Sequence, residues 1–181
     1  LLFFCTATQA QHFEATWTSL DSRRIPSWFE DAKFGIFIHW GVYSVPGWRK
    51  LEPGLYASYA EWYYAKVMYN PDNAGLDFHR KNYGPDFEYR DFAPMFKAEL
   101  FDPVFWAEMF KRSGARYVVL TSKHHDGYCL WPTQSPYKKG WNAMDVGPKR
   151  DLVGDLATAV RAAGLRMGLY YSIIEGESSW T

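Results

Sequence analysis

Three short apolar runs, each broken off by side chains that can hydrogen-bond, constrain this chain more than any other feature. Tyr117-Val118-Val119-Leu120 passes into Thr121-Ser122-Lys123-His124-His125-Asp126-Gly127. Phe34-Gly35-Ile36-Phe37-Ile38 passes into His39-Trp40-Gly41, and Met167-Gly168-Leu169 into Tyr170-Tyr171-Ser172. Strands that read apolar throughout belong to parallel sheets covered on both faces. Three such strands closing on His, Trp or Tyr point to one polar, sugar-sized pocket at the carboxyl ends of the sheet.

The intervals between the runs supply the helices that parallel strands need. Asp102-Pro103 gives an N-cap and a first-turn proline, and the spacing predicts a helix from Val104 to Ser113 with Phe105, Met109 and Phe110 on one side, ended by Gly114. Asp151 caps a second helix whose stripe is Leu152, Leu156 and Val160 with Val153 beside it, stopped by Gly164. Strands are expected at about 34–40, 117–123 and 167–172, an alternation that indicates an α/β fold with a parallel sheet. Three strands do not close a barrel. The chain reads either as a small open α/β domain or as the front part of a (β/α)8 barrel, and the clustering of polar residues at the strand ends favours the barrel. The roughly 60 residues after the first strand lack repeats and are rich in Tyr, Trp, Pro and Gly, a long insertion of the kind that carries function.

Charge narrows the partners. Lys+Arg and Asp+Glu both count 20, so there is no electrostatic footprint for nucleic acid or an anionic membrane. Binding is expected to be local and pocket-like. Aromatics reach 19% with nine Trp, which serve a core or give flat surfaces for sugar rings. Residues 1–10, Leu-Leu-Phe-Phe-Cys-Thr-Ala-Thr-Gln-Ala, read as the tail of a secretory signal, leaving 11–181 as the folded part. Its cleavage would remove Cys5 and leave Cys129 without an internal disulfide partner.

Several side chains are candidates for the site. His39 reads either as a hydroxyl-binding imidazole or as a core histidine bonded to backbone. His124 and His125 are adjacent, and two polar neighbours on a strand are tolerated where it ends at a wet cleft. Glu61, in Glu61-Trp62-Tyr63-Tyr64, is a hydroxyl ligand, a general acid or an exposed helix carboxylate. Alternation places one of Tyr170 and Tyr171 toward the pocket and the other in the core. Asp126, Trp131, Trp141, Asn142, Asp145 and Asp151 are expected to hold the loop or cap the helix, and Glu175 and Glu177 to face solvent.

Five separated segments carry a resemblance. Trp28 to Pro46 (WFEDAKFGIFIHWGVYSVP), Glu61-Trp62-Tyr63, Lys123 to Gly127 (KHHDG), Val146 to Gly154 (VGPKRDLVG) and Gly168 to Ser172 (GLYYS) are similar to the α-L-fucosidases of glycoside hydrolase family 29, in consistent order from about residue 16 to 174. The resemblance implies a retaining exoglycosidase, secreted or lysosomal, with a (β/α)8-like catalytic domain, a C-terminal β-sandwich, a fucosylated oligosaccharide or glycoprotein as substrate, and no metal or organic cofactor. It implies that His39, Glu61, Trp62, His124, His125 and Tyr170 line a fucose pocket, with Tyr170 rather than Tyr171 as the ligand. The parent is expected to bind no nucleic acid and no membrane, with a homo-oligomeric full-length parent left open.

One departure matters. The family's nucleophile is an Asp in a Trp-x-Asp-Gly-like setting, and no such motif occurs before Thr181. Retaining chemistry needs two carboxyl groups about 5 Å apart. The general acid/base of the family is usually a Glu further downstream, although a residue matching Glu61 has that role in some members. The chain is therefore expected to hold the binding half of a site and to be inactive alone. Two alternatives stay open: a non-catalytic fucose-binding protein, and a hydrolase using Zn²⁺ gathered by His39, His124 and His125. Against the second, Phe37 or Gly41 stands where a His-x-His pair would need its partner.

Overall fold

In the computed structural model, residues 12–55, 58–69 and 73–175 are described. The proposed leader, 1–10, and Glu177 lie outside them. The chain forms two compact units, Leu1–Lys33 and Phe34–Thr181. The first holds α1 (Trp17–Asp21), capped by Thr16 Oγ1 accepting from Ser19 N at 3.3 Å, and α2 (Ser27–Ala32), which starts after Pro26.

The second unit is built on a parallel sheet in the order β1 (Gly35–Ile38), β2 (Tyr117–Lys123), β3 (Arg166–Tyr171). Phe37 pairs with Val119 and Val119 with Gly168, while Ile38, Leu120 and Leu169 align one step on. Paired residues in a parallel ladder share a face, so the odd positions of β1 and β2 form one surface and the even positions the other. Between β1 and β2 come α3 (Asn73–Tyr83) and α4 (Pro103–Arg112), with α5 (Leu152–Ala162) between β2 and β3. Asp102 caps α4 by accepting from Val104 N and Phe105 N, and Asp151 caps α5 by accepting from Gly154 N, as their positions before apolar stripes require. Both helices end two residues before a glycine with positive φ, Gly114 or Gly164.

The core joins Val118 and Leu120 of β2 to Ala107 and Phe110 of α4 and to Leu152, Leu156, Ala159 and Val160 of α5. The face expected for α4 is corrected here. Phe105 and Met109 are 62% and 46% exposed, and the inward side is Trp106, Ala107 and Phe110. Both pairs, 105/109 and 106/110, have helical spacing. Trp106 decides between them by packing at 5.2 Å from Trp40 and 5.1 Å from Phe101, a cluster assembled from residues distant in sequence.

The long insertion is ordered by the same aromatic packing. A 3-10 turn at Ala60–Trp62 runs into a π-helical turn at Tyr64–Tyr69, and a second 3-10 stretch spans Tyr89–Met95. Tyr63, Tyr64, Val67, Tyr89 and Phe92 are buried together, and Trp48 stacks on Phe78 with centroids 4.0 Å apart. Four tryptophans, Trp40, Trp48, Trp106 and Trp141, belong to this core. These tryptophans pack the fold, whereas Trp17 is 80% exposed and Trp62 lies outside the core cluster.

Candidate active site

The polar run at the end of β2 is buried nearly throughout: Thr121, Ser122, Lys123, His124 and Asp126 are each 5% exposed or less. Buried polar groups need partners, and most of these have them. Thr121 Oγ1 lies 3.2 Å from Tyr43 Oη and donates to Trp40 O at 3.3 Å; Ser122 Oγ donates to Tyr170 O at 2.7 Å. Tyr89 Oη donates to Asp126 Oδ2 at 2.7 Å and Trp141 Nε1 to Asp126 O at 2.8 Å, so Asp126 ties its loop to the insertion. Burial pushes the Asp126 carboxyl up to about 6, against the pull of Tyr89. Asn142, bonded to Asp145, and Asp151 likewise hold the loop and cap the helix. Cys129 is a buried free thiol, raised to about 11 by desolvation.

His39 stands one residue beyond β1, and Glu61 reaches it from the 3-10 turn. Glu61 Oε1 lies 2.9 Å from His39 Nδ1, and since a carboxylate only accepts, Nδ1 carries the proton. In its neutral form the ring then presents the Nε2 lone pair as an acceptor. Glu61 is no exposed helix carboxylate: its side chain is 16% exposed.

Rings converge around His124. Its centroid lies 5.5 Å from His39, 4.8 Å from His125, 5.9 Å from Tyr170, 6.3 Å from Trp62 and 5.4 Å from Tyr43. The structure thus brings together His39, Glu61, Trp62, His124, His125 and Tyr170. Desolvation, then the neighbouring His125 and His39, push His124 down to about 3, so it is uncharged. Among the described residues, His124 Nδ1 is the buried side-chain atom that no protein group reaches with a hydrogen bond. A pocket of about 270 Å³ opens beside this cluster, lined by Glu61, Trp62, Tyr64, Ala65, His125, Asp126 and Ile174.

Two expectations fail. Tyr171 is not core: alternation puts Tyr170 on the His39 face, but Tyr171 is 54% exposed, its ring 4.3 Å from Lys123 Nζ and 6.1 Å from Trp131. Glu175 does not face solvent; it accepts from both Lys123 Nζ and Lys138 Nζ. Sequence reasoning also passed over Tyr43 and Ser172. The signal for Ser172 was a polar residue directly after an apolar strand. Among the described residues, no group of three His, Cys, Asp or Glu side chains is placed to hold a metal ion, and no helix is long and apolar enough to cross a membrane.

The comparisons with known proteins agree with one another. A family model described as Alpha-L-fucosidase matches residues 1–181. The chain is 48% identical over 182 residues to the tissue alpha-L-fucosidase of Bos taurus, covering 93% of this chain and 33% of the relative. It is 48% identical over 172 residues to the plasma alpha-L-fucosidase of Homo sapiens, covering 94% and 34%. The crystal structure of Thermotoga maritima alpha-fucosidase in complex with fucose superposes with a TM-score of 0.78 at 51% identity, over 89% of this chain and 37% of that one. The chain spans about a third of the length of the curated relatives it matches.

Proposed function

The chain belongs to the α-L-fucosidase family, and on that premise we propose that the protein it is part of is a retaining exo-α-L-fucosidase acting on terminal α-L-fucose of glycoconjugates. The observation that carries the reading is the ring cluster with Glu61 bound to His39 at 2.9 Å. Fucose is rich in hydroxyl donors. His39 offers Nε2 as an acceptor, Glu61 offers its second carboxylate oxygen, and the His124 nitrogen without a partner awaits a hydroxyl. Trp62 and Tyr170 add flat apolar walls for the C–H faces of the ring, and His125 closes the cluster. Support for the substrate also comes from the fucose complex of the Thermotoga relative.

The three parallel strands form part of a (β/α)8 barrel in this reading, with the site at the carboxyl ends of the strands. Double displacement needs a nucleophile and a general acid about 5 Å apart. Among the described residues, Glu61 is the carboxylate that touches the ring cluster. The nucleophilic Asp, and in most of the family the acid, then come from the part of the relatives' length that this chain does not span. Of the two expected locations, secreted or lysosomal, the plasma relative supports the first.

The test is a time-resolved NMR assay of the full-length protein with an aryl α-L-fucoside. α-L-Fucose is expected as the first product; the β-anomer, or no release at all, overturns the proposal. His39→Ala should lower kcat/KM by about 10- to 100-fold with the melting temperature unchanged, since a buried hydroxyl contact is lost.

A further inference from the structure

His125 is held by residues that lie outside the ring cluster. Its Nδ1 is 2.7 Å from the carbonyl oxygen of Ile174 and 2.6 Å from Ser172 Oγ, and Ser172 Oγ donates to the same carbonyl at 2.7 Å. A carbonyl only accepts, so the imidazole proton sits on Nδ1 and the lone pair of the neutral ring on Nε2.

What fixes that carbonyl is an ion pair between three segments. Glu175, the next residue, accepts from Lys123 Nζ through one carboxylate oxygen and from Lys138 Nζ through the other. Lys123 ends β2 and is 1% exposed; Lys138 comes from the 3-10 turn Pro136–Lys138. Burial pushes the Glu175 carboxyl up, and the two lysines outweigh it and hold it below the usual range. Ser172 N donates to Lys123 O at 3.0 Å, which anchors the start of the same loop. Space for the clamp comes from Gly127, at φ +73°, where a Cβ would stand 2.7 Å from Lys138 Nζ and 2.9 Å from Glu175 Oε2. His125 is two residues away.

We propose that Ser172 and Glu175 are positioning residues for His125: the Lys123–Glu175–Lys138 clamp fixes the Ile174 carbonyl, which keeps the proton on His125 Nδ1 and leaves Nε2 as the acceptor for a substrate hydroxyl. The role of Nε2 rests on the fucosidase reading, whereas the clamp and the tautomer do not.

The experiment uses full-length protein labelled with 15N-histidine, wild type, Glu175→Gln and Ser172→Ala, each also combined with His125→Ala. Long-range ¹H–¹⁵N NMR is expected to show the Nδ1–H form of His125 in the wild type and a mixture of tautomers in both variants. Turnover of an aryl α-L-fucoside should fall about tenfold or more in each variant, because a polar contact loses its aim. In the His125→Ala background the same changes should cost nothing further. An Nε2–H wild type, variants that keep the Nδ1–H signal, or losses that multiply with His125→Ala overturn the proposal. Should Glu175→Gln fail to fold because Lys123 is left buried without the carboxylate that balances it, Ser172→Ala carries the same readouts. A tautomer shift in a protein that releases no fucose refutes the fucosidase reading and leaves the clamp standing.

Discussion

Replacing Asp126 by Asn should change how stability depends on pH, and the size follows from the structure. Asp126 is 3% exposed and holds its proton up to about 6, against an ordinary value of 3.8. At about 1.4 kcal/mol per pH unit, that gap amounts to about 3 kcal/mol. A carboxyl that binds its proton more tightly folded than unfolded contributes stability that is complete below 3.8 and lost as pH rises through about 6. Asn keeps an acceptor for Tyr89 Oη but cannot ionise. The variant should therefore gain on the wild type as pH rises, most of the roughly 3 kcal/mol appearing between about pH 4 and pH 7. His124 titrates with the opposite sign, since its proton is bound more weakly in the fold. For that reason the variant-minus-wild-type difference is the informative quantity. Urea unfolding of the full-length pair across this range measures it. A difference constant to within about 0.5 kcal/mol would refute the reasoning and mean that Asp126 is ionised in the folded chain.

Two further outcomes are expected in the full-length protein. Glu61→Gln exchanges a charge-assisted bond to His39 for a neutral one, a loss of about 1 kcal/mol or roughly fivefold in kcat/KM, whereas a fall beyond a hundredfold would make Glu61 the proton donor instead. His79→Phe leaves Tyr63 Oη without its partner at 2.9 Å and the Phe87 carbonyl without its partner at 2.7 Å. It should cost about 1–3 kcal/mol in urea unfolding, and a shift under about 0.5 kcal/mol would show that water replaces both bonds.

The strands and capped helices were legible because their causes are local. Apolar runs, Asp102-Pro103 and Asp151 act within a few residues of themselves. The inward face of α4 was not legible, since two stripes satisfied the helical period and the choice lay with Trp40 and Phe101. His39, Glu61, His124, His125 and one of the two tyrosines were candidates from their places at strand ends and in the insertion, whereas Trp62 and the choice of Tyr170 came from motif resemblance. Nothing in the order of residues announces that Glu61 meets His39 across 22 positions, or that Glu175 meets Lys123 across 52. Such pairings are consequences of how a non-periodic insertion and two loops close over the sheet. Tyr171 was misplaced because alternation fixes its face but not what covers that face.

The dehydration of His124 has a consequence for the chemistry that the fucosidase reading assigns to this pocket. Glycosidic cleavage builds positive charge on the sugar ring as it approaches an oxocarbenium-like state. An imidazolium in contact with that ring would oppose the charge at short range in a medium that screens poorly. With its proton affinity driven down to about 3, His124 stays neutral at the mildly acidic pH where an ordinary histidine would be charged. In that reading His124 adds no cation beside the bond being broken.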